Sequence, residues 1–295
     1  MFSAWLHLAL FVVASGLAAT VSPAGAVDAP PPVPTPRPPS PPLSPLGPDG
    51  RFDLVFSDEF ADPELSTDRW TTCYWWDNNG CTNLGNKELQ WYVPQNTRIE
   101  DGTLILTAKP EEVIGHEGMK FPYTSGMVTS GRYYEEEKSD TRFSTTYGFF
   151  EMRAKIPSGQ GLWPAFWLLP DNHTSKPEID IMEVLGHRPG VLELHYHYKK
   201  ANGDVRQKGH EIETDDLSKN WHVYGLEWSP EEITWYLDGE ELWRIEEQEL
   251  ISNVPMYLII NLAVGGNWPG DPDESTEFPA ELKVDYVRVW QRMPR

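Results

Sequence analysis

The chain has 295 residues, 39% hydrophobic and 12% aromatic, with a formal net charge of −21. So large an acidic surplus excludes nucleic acid and anionic membrane surfaces as partners, and it repels sulfated or uronic polymers. Length and apolar content suffice for one large domain with its own core plus an accessory segment, and thirteen Trp and twelve Tyr supply flat rings that serve cores or stack on sugars.

Residues 1–26 carry no Asp, Glu, Lys or Arg, and the apolar run from Leu6 to Val13 gives way to small residues ending in Ala24-Gly25-Ala26. This pattern predicts a secretory signal peptide over 1–26, although only His7 offers charge ahead of or within the run. The run is short for a membrane span of about 20 residues, so an uncleaved anchor is the minor reading and no membrane association is expected after signal removal. Residues 27–50 are dominated by Pro, a composition that gives an extended, semi-rigid linker. The remaining 51–295 read as a single domain, and its expected place is extracellular.

Within that domain Cys73 and Cys81 are the only cysteines. In a secreted chain they are expected to form a disulfide, with Trp75, Trp76 and Asn78 in the loop between them. Short alternating runs recur between turn signals: Leu104 to Thr107, Leu192 to Tyr198, Ile233 to Leu237, Met256 to Val264 and Val284 to Trp290. Asp101-Gly102 and Asp238-Gly239 have the composition of hairpin turns. No stretch carries a sustained helical period, so the expectation is an all-β fold, a two-sheet antiparallel β-sandwich.

The stretch Glu178-Ile179-Asp180-Ile181-Met182-Glu183 is the most informative in the chain. Alternation in a strand places Glu178 and Asp180 on one face, with Ile179 and Ile181 on the other. Strict alternation would send Glu183 to the apolar face. A bulge at Met182 would return Glu183 to the acidic face and Val184 to the core. Two carboxyls held about 5 Å apart across a sugar are what a retaining glycosidase requires. The bland alternative is a solvated acidic strand face.

Other strands offer matching faces. Glu193, His195 and His197 alternate together, as do Trp163 and Trp167 in Gly161 to Leu168, and Asn261 interrupts an apolar run. Patterning alone leaves Trp163 open between core and sugar platform. It also leaves the histidines open between structural groups and acid or ligand roles, although a catalytic transition metal is not expected.

Ser57-Asp58-Glu59-Phe60, Asn86 to Tyr92, Tyr123 to Gly126, Tyr147 to Arg153, Gly161 to Leu169, the acidic hexapeptide and Asn261 to Trp268 together resemble the family sixteen glycoside hydrolases of the laminarinase type. The resemblance covers about residues 53–291. It implies a concanavalin-like jelly roll with a concave substrate cleft, a β-glucan polysaccharide as partner, a monomer, and no cofactor for catalysis. It implies Glu178 as nucleophile, Glu183 as acid/base and Asp180 as the carboxylate between them. Trp163 and Trp167 match sugar platforms, Trp268 matches a loop closing over the site, and Asn86 and Glu88 match polar groups that reach outer glucose units. His197 lies where a His approaches the acid/base, and Arg132 matches a substrate contact at an altered spacing. A structural Ca²⁺ is common in such domains, and Glu59, the Gly102 carbonyl and Asp285 match its ligands. The function implied is endo-β-1,3-glucanase. The alternatives are a mixed-linkage β-1,3-1,4-glucanase or another hydrolase of the family, and a non-catalytic glucan-binding protein. The extra residue Met182 favours the first over lichenases, whose acidic motif is one residue shorter, and possession of both Glu178 and Glu183 weighs against the last.

Overall fold

A computed structural model describes residues 44–74, 80–132, 141–172, 174–200 and 202–294. The expected signal, most of the linker, and Trp75, Trp76 and Asn78 lie outside the described residues. In chain order the strands are β1 (Phe52–Asp58), β2 (Gln90–Tyr92), β3 (Thr97–Glu100), β4 (Thr103–Ala108), β5 (Val113–Ile114) and β6 (Lys120–Phe121). They continue with β7 (Tyr123–Ser125), β8 (Met127–Thr129), β9 (Gly148–Lys155), β10 (Leu162–Pro170), β11 (Glu178–Glu183) and β12 (Val191–Lys199). The last six are β13 (Val205–Glu213), β14 (His222–Trp228), β15 (Ile233–Leu237), β16 (Glu240–Ile245), β17 (Met256–Val264) and β18 (Ala280–Arg292). Helix is confined to short 3-10 turns among the described residues, none of them long and apolar enough to cross a membrane.

The fold is an antiparallel sandwich of two large sheets. One runs β13-β12-β11-β10-β17-β8; the other runs β16-β15-β14-β9-β18-β4-β3, with β1 also paired to β18. The expected runs fall within β4, β12, β15, β17 and β18. Asp101-Gly102 and Asp238-Gly239 both take positive φ, at 50° and 74° and at 51° and 87°, which is the geometry of two-residue hairpins whose twist matches the strands.

Alternation explains the core. On β12, Leu192, Leu194 and Tyr196 are buried inward, with Tyr198 behind them. On β17, Leu258, Ile260 and Leu262 do the same. They meet Phe150 and Met152 of β9, Leu226 of β14 and Trp235 of β15 from the opposite sheet. Each such side chain contributes about 1.5–3 kcal/mol on burial, so these inward residues set the register and thereby fix which residues face outward.

The bulge in the acidic strand is present but sits one residue earlier than expected. Against β10, Met182 pairs with Phe166 and Asp180 with Trp167, leaving Ile181 as the extra residue. Ile181 and Met182 both point into the core, as does Val184. An unbulged strand would turn the Glu183 carboxyl into that apolar layer, and desolvating it there without partners outweighs the loss of one ladder position. Across the core, the Trp235 indole donates to the Asp180 carbonyl oxygen at 2.9 Å, satisfying a backbone acceptor beside the irregular pairing.

The boundary between linker and domain also differs from expectation. Leu46 N donates to Glu151 Oε2 at 2.9 Å, and Arg292 Nη1 donates to the Asp49 carbonyl at 2.8 Å. Gly47, at φ 119°, lies so close to Tyr236 that a Cβ would fall 2.8 Å from the ring. Residues 46–50 are therefore part of the folded domain and not of a free spacer, because backbone groups and a glycine contact that composition does not reveal anchor them.

Candidate active site

The cleft lies on the outer face of the sheet that contains β11, a concavity of about 890 Å³. Its floor is built by alternation on adjacent strands: Trp163, Ala165, Trp167 and Leu169 from β10, Glu178, Asp180 and Glu183 from β11, and Glu193, His195 and His197 from β12. Asn261 and Ala263 join from β17, and Gln207 and Glu211 from β13. The residues that bracket β11 are held by register: Glu178 faces His197 and Asp180 faces His195, then the bulge brings Glu183 opposite Glu193.

Asp180 occupies the centre, only 3% exposed, and Glu183 is 7% exposed. Asp180 lies within 4.8 Å of both its neighbours through donor atoms shared with His197 on one side and His195 on the other. Glu183 accepts from the Trp163 indole N–H at 3.1 Å, and its second oxygen lies 2.9 Å from His195 Nδ1. Glu178 accepts from Lys176 Nζ at 2.7 Å. His197 Nε2 stands 3.6 Å from Glu178 Oε1 and 3.3 Å from Asp180 Oδ2.

These surroundings shift the protonation of the group. Burial, followed by the charge of Glu178, pushes Glu183 up to about 8. Burial and then Asp180 raise Glu178, opposed by Lys176 and His197. Asp180 is raised by burial and then by Glu183, against the pull of His197. Burial alone would lower His197, but its contacts with Asp180 and Glu178 outweigh that and raise it. Lys176 touches Glu178 and not Glu183, which separates the two glutamates in the sense that a carboxylate nucleophile and a protonated acid require.

The rim brings in the other expected residues. Asn86 Nδ2 and Gln90 Nε2 donate to the two oxygens of Glu88, at 2.9 and 2.6 Å. Burial pushes the Glu88 carboxyl up to about 7. Gln90 Oε1 in turn accepts from Val264 N at 2.7 Å, which ties this segment to the end of β17. The turn that follows carries Gly266 at φ 117°, where a Cβ would fall 2.8 Å from the Asn86 carbonyl. Only glycine suits that position. Asn267 N then donates to the Asn86 carbonyl at 2.9 Å, and Trp268 emerges 38% exposed, edge-on to Trp163 at 5.2 Å and to His195 at 5.6 Å. Trp167 Nε1 donates to Asn261 Oδ1 at 2.8 Å, and Asn261 Nδ2 donates to Tyr92 Oη at 3.0 Å, so this second tryptophan is held by a buried polar chain.

Trp163, Trp167, Trp268, Asn86, Glu88 and His197 thus all line the cleft, and Arg132 does not. Arg132 lies 3.8 Å from Asp171, whose carboxylate also accepts from the hydroxyls of Thr141 and Ser144. The guanidinium therefore lies beside the loop that follows β10. The family resemblance does not single out Lys176, His195 or Asn261, which also line the cleft. The strand pattern places the last two on the cleft face, but no motif points to Lys176. Cys73 and Cys81 are joined as a disulfide, with Cα atoms 4.7 Å apart. On the opposite sheet, Glu59 is engaged by Arg288 through two hydrogen bonds of 2.8 and 2.7 Å, and Asp285 by Arg153 at 2.8 Å.

The sequence profile described as "Glycosyl hydrolases family 16" matches residues 86–288. A beta-glucanase of Rhodothermus marinus is 38% identical over 269 residues, covering 81% of this chain and 85% of that protein. An endo-1,3-1,4-beta-glycanase of Rhizobium meliloti is 37% identical over 80% of this chain, which spans only 51% of that longer relative. The crystal structure of an endo-beta-1,3-glucanase from Pyrococcus furiosus superposes with a TM-score of 0.70 at 34% identity, over 83% of this chain and 96% of that one. With the profile spanning more than half of the chain and a relative 38% identical over most of both chains, the chain belongs to the family 16 glycosyl hydrolases.

Proposed function

We propose that this chain is a secreted endo-β-1,3-glucanase that hydrolyses internal bonds of laminarin-like glucans with retention of configuration. The observation that carries the reading is the bulge, which sets Glu178, Asp180 and Glu183 on one floor between tryptophans. In the first step the Glu178 carboxylate attacks the anomeric carbon while Glu183 gives its proton to the leaving glycosidic oxygen. In the second, Glu183 takes a proton from water, the water oxygen bonds to the anomeric carbon, and Glu178 departs as a carboxylate. Burial and the charge of Glu178 favour the protonated form of Glu183, while Asp180, between them, fixes the position of Glu178 together with His197. Trp163 positions Glu183 through its indole N–H, and with Trp268 it forms a corner against which a glucose face can stack. The leader at 1–26 and the Cys73–Cys81 bridge support an extracellular setting.

The cleft on the sheet face is expected to admit the middle of a chain, so early products should be a mixture of short oligosaccharides. The mixed-linkage alternative has support in the Rhizobium relative's name, so lichenan is the comparison substrate. We expect laminarin to be cut faster, with lichenan cut more slowly and beside its β-1,3 links. Product analysis over time, with proton NMR of the first-formed anomer, decides. Glucose as the sole early product would mean exo action, an initial α-anomer would mean inversion, and faster hydrolysis of lichenan would establish the alternative.

A structural calcium on the opposite sheet is part of the same proposal. Asp58 pairs with Val287 of β18, and Leu104 of β4 pairs with Val284. On this reading Glu59, the Gly102 carbonyl and Asp285, from the segments where β1, β4 and β18 meet, would supply an all-oxygen set suited to Ca²⁺. The ion would have to share Glu59 with Arg288. Excess chelator should lower the melting temperature, and added calcium should raise it with its concentration, because a ligand of the folded state stabilises by mass action. Identical melting curves in chelator and in calcium would remove the site.

A further inference from the structure

Resting on the retaining mechanism above, we propose that Lys176 is a positioning residue that acts mainly in the second half of the reaction, where it stabilises Glu178 as the leaving carboxylate. Lys176 lies in the short loop between β10 and β11, two residues ahead of Glu178 and next to Pro177. Its carbonyl lies 2.8 Å from Thr174 Oγ1, which pins the loop. Its ammonium reaches over the cleft floor to Glu178 Oε2 at 2.7 Å, and both side chains are about four-fifths buried, at 18% and 20% exposed. A charge-assisted hydrogen bond this short and this shielded is among the strong ones.

The consequence follows from where the negative charge sits at each stage. In the free enzyme Glu178 is a carboxylate facing Lys176 on one oxygen and His197 on the other. In glycosylation a Glu178 oxygen bonds to the anomeric carbon and the bond to the leaving oxygen breaks. The nucleophile is then an uncharged ester and loses the attraction of Lys176. In deglycosylation water bonds to the anomeric carbon, Glu183 takes its proton, and the ester bond breaks with the electron pair returning to Glu178 beside the ammonium. The cation therefore opposes the first step modestly and favours the second, since only interactions that strengthen in a transition state accelerate that step.

The test uses the full chain with a 2,4-dinitrophenyl β-laminaribioside, whose leaving group departs without an acid and leaves deglycosylation rate-limiting. Lys176→Met should lower kcat about tenfold, the order expected for one charged hydrogen bond, and KM should fall with it, so that kcat/KM at pH 7 is unchanged or higher. Intact mass spectrometry during turnover should show the glycosyl-enzyme accumulating in this variant. Lys176→Arg, which keeps the charge, should restore kcat to within about threefold of wild type. Equal losses in kcat and kcat/KM, or no accumulation of glycosyl-enzyme, would overturn the proposal, even with melting temperatures unchanged. A loss of folding in Lys176→Met leaves the decision to Lys176→Gln, scored by the same ratio. Failure of wild type to release a β-configured product from this substrate is a separate result, which would sink the retaining mechanism itself.

Discussion

Glu178→Gln and Glu183→Gln should each lower kcat/KM on laminarin about 10³-fold or more, with circular dichroism unchanged. Such a loss corresponds to about 4 kcal/mol of transition-state stabilisation, far above what a surface change produces. Glutamine keeps the shape of the side chain, so the packing beneath the bulge survives and the loss belongs to the chemistry. The two variants should then part company. With a dinitrophenyl glycoside, Glu183→Ala still forms the glycosyl-enzyme, because no acid is needed, but it cannot activate water. Azide, which needs no base, should rescue it and give a β-glycosyl azide. Glu178→Ala lacks the nucleophile, so azide should attack directly and give the α-glycosyl azide. The stereochemistry of the azide adduct, read by NMR, assigns the role of each residue independently. Turnover close to wild type by either glutamine variant, or the same azide anomer from both alanine variants, would refute the assignment.

Most of this site was legible in the sequence because strand alternation has a period of two and both signals, acidic and apolar, are strong around Glu178. The pattern required a bulge, since three acids and three apolar residues could not otherwise part to opposite faces. Which residue is extra was not legible: Ile181 and Met182 are adjacent, apolar and equally at home in the core, and only the pairing with Phe166 and Trp167 of β10 distinguishes them. Loops were harder to read. Lys176 precedes the strand, outside any alternation, and nothing in its neighbours predicts that its ammonium turns back to Glu178. Arg132 matches a motif only at an altered spacing, and its guanidinium lies beside the half-buried Asp171 carboxylate instead of in the cleft. The docking of Leu46 to Glu151 was likewise hidden, because a proline-rich composition speaks for an extended backbone and not for whether it lies against the domain.

The pH profile should show where the shared floor places its protons. Glu183 must carry a proton to serve as acid, and burial with the charge of Glu178 holds it up to about 8. The kcat/KM for laminarin should therefore hold through neutral pH and fall about tenfold per unit once the pH passes roughly 8. The acid limb belongs to Glu178, which must be ionised and whose affinity for its proton is raised by burial and by Asp180. The same shift has a stability counterpart with a definite sign. Glu183 binds its proton more tightly folded than unfolded, so its contribution to stability is fully present below its ordinary 4.5 and is lost as pH rises toward about 8. Glu183→Gln removes that cost. The variant should melt above wild type at pH 8, and the difference should shrink steadily as the pH is lowered to 4.5. Catalysis and stability are thus opposed at one carboxyl: the burial that makes Glu183 an acid at neutral pH makes its ionised form a burden on the fold. Thermal scans of the two proteins across this range test the link. A melting difference that stays constant with pH would show that Glu183 titrates normally, and the basic limb of the rate profile would then need another owner.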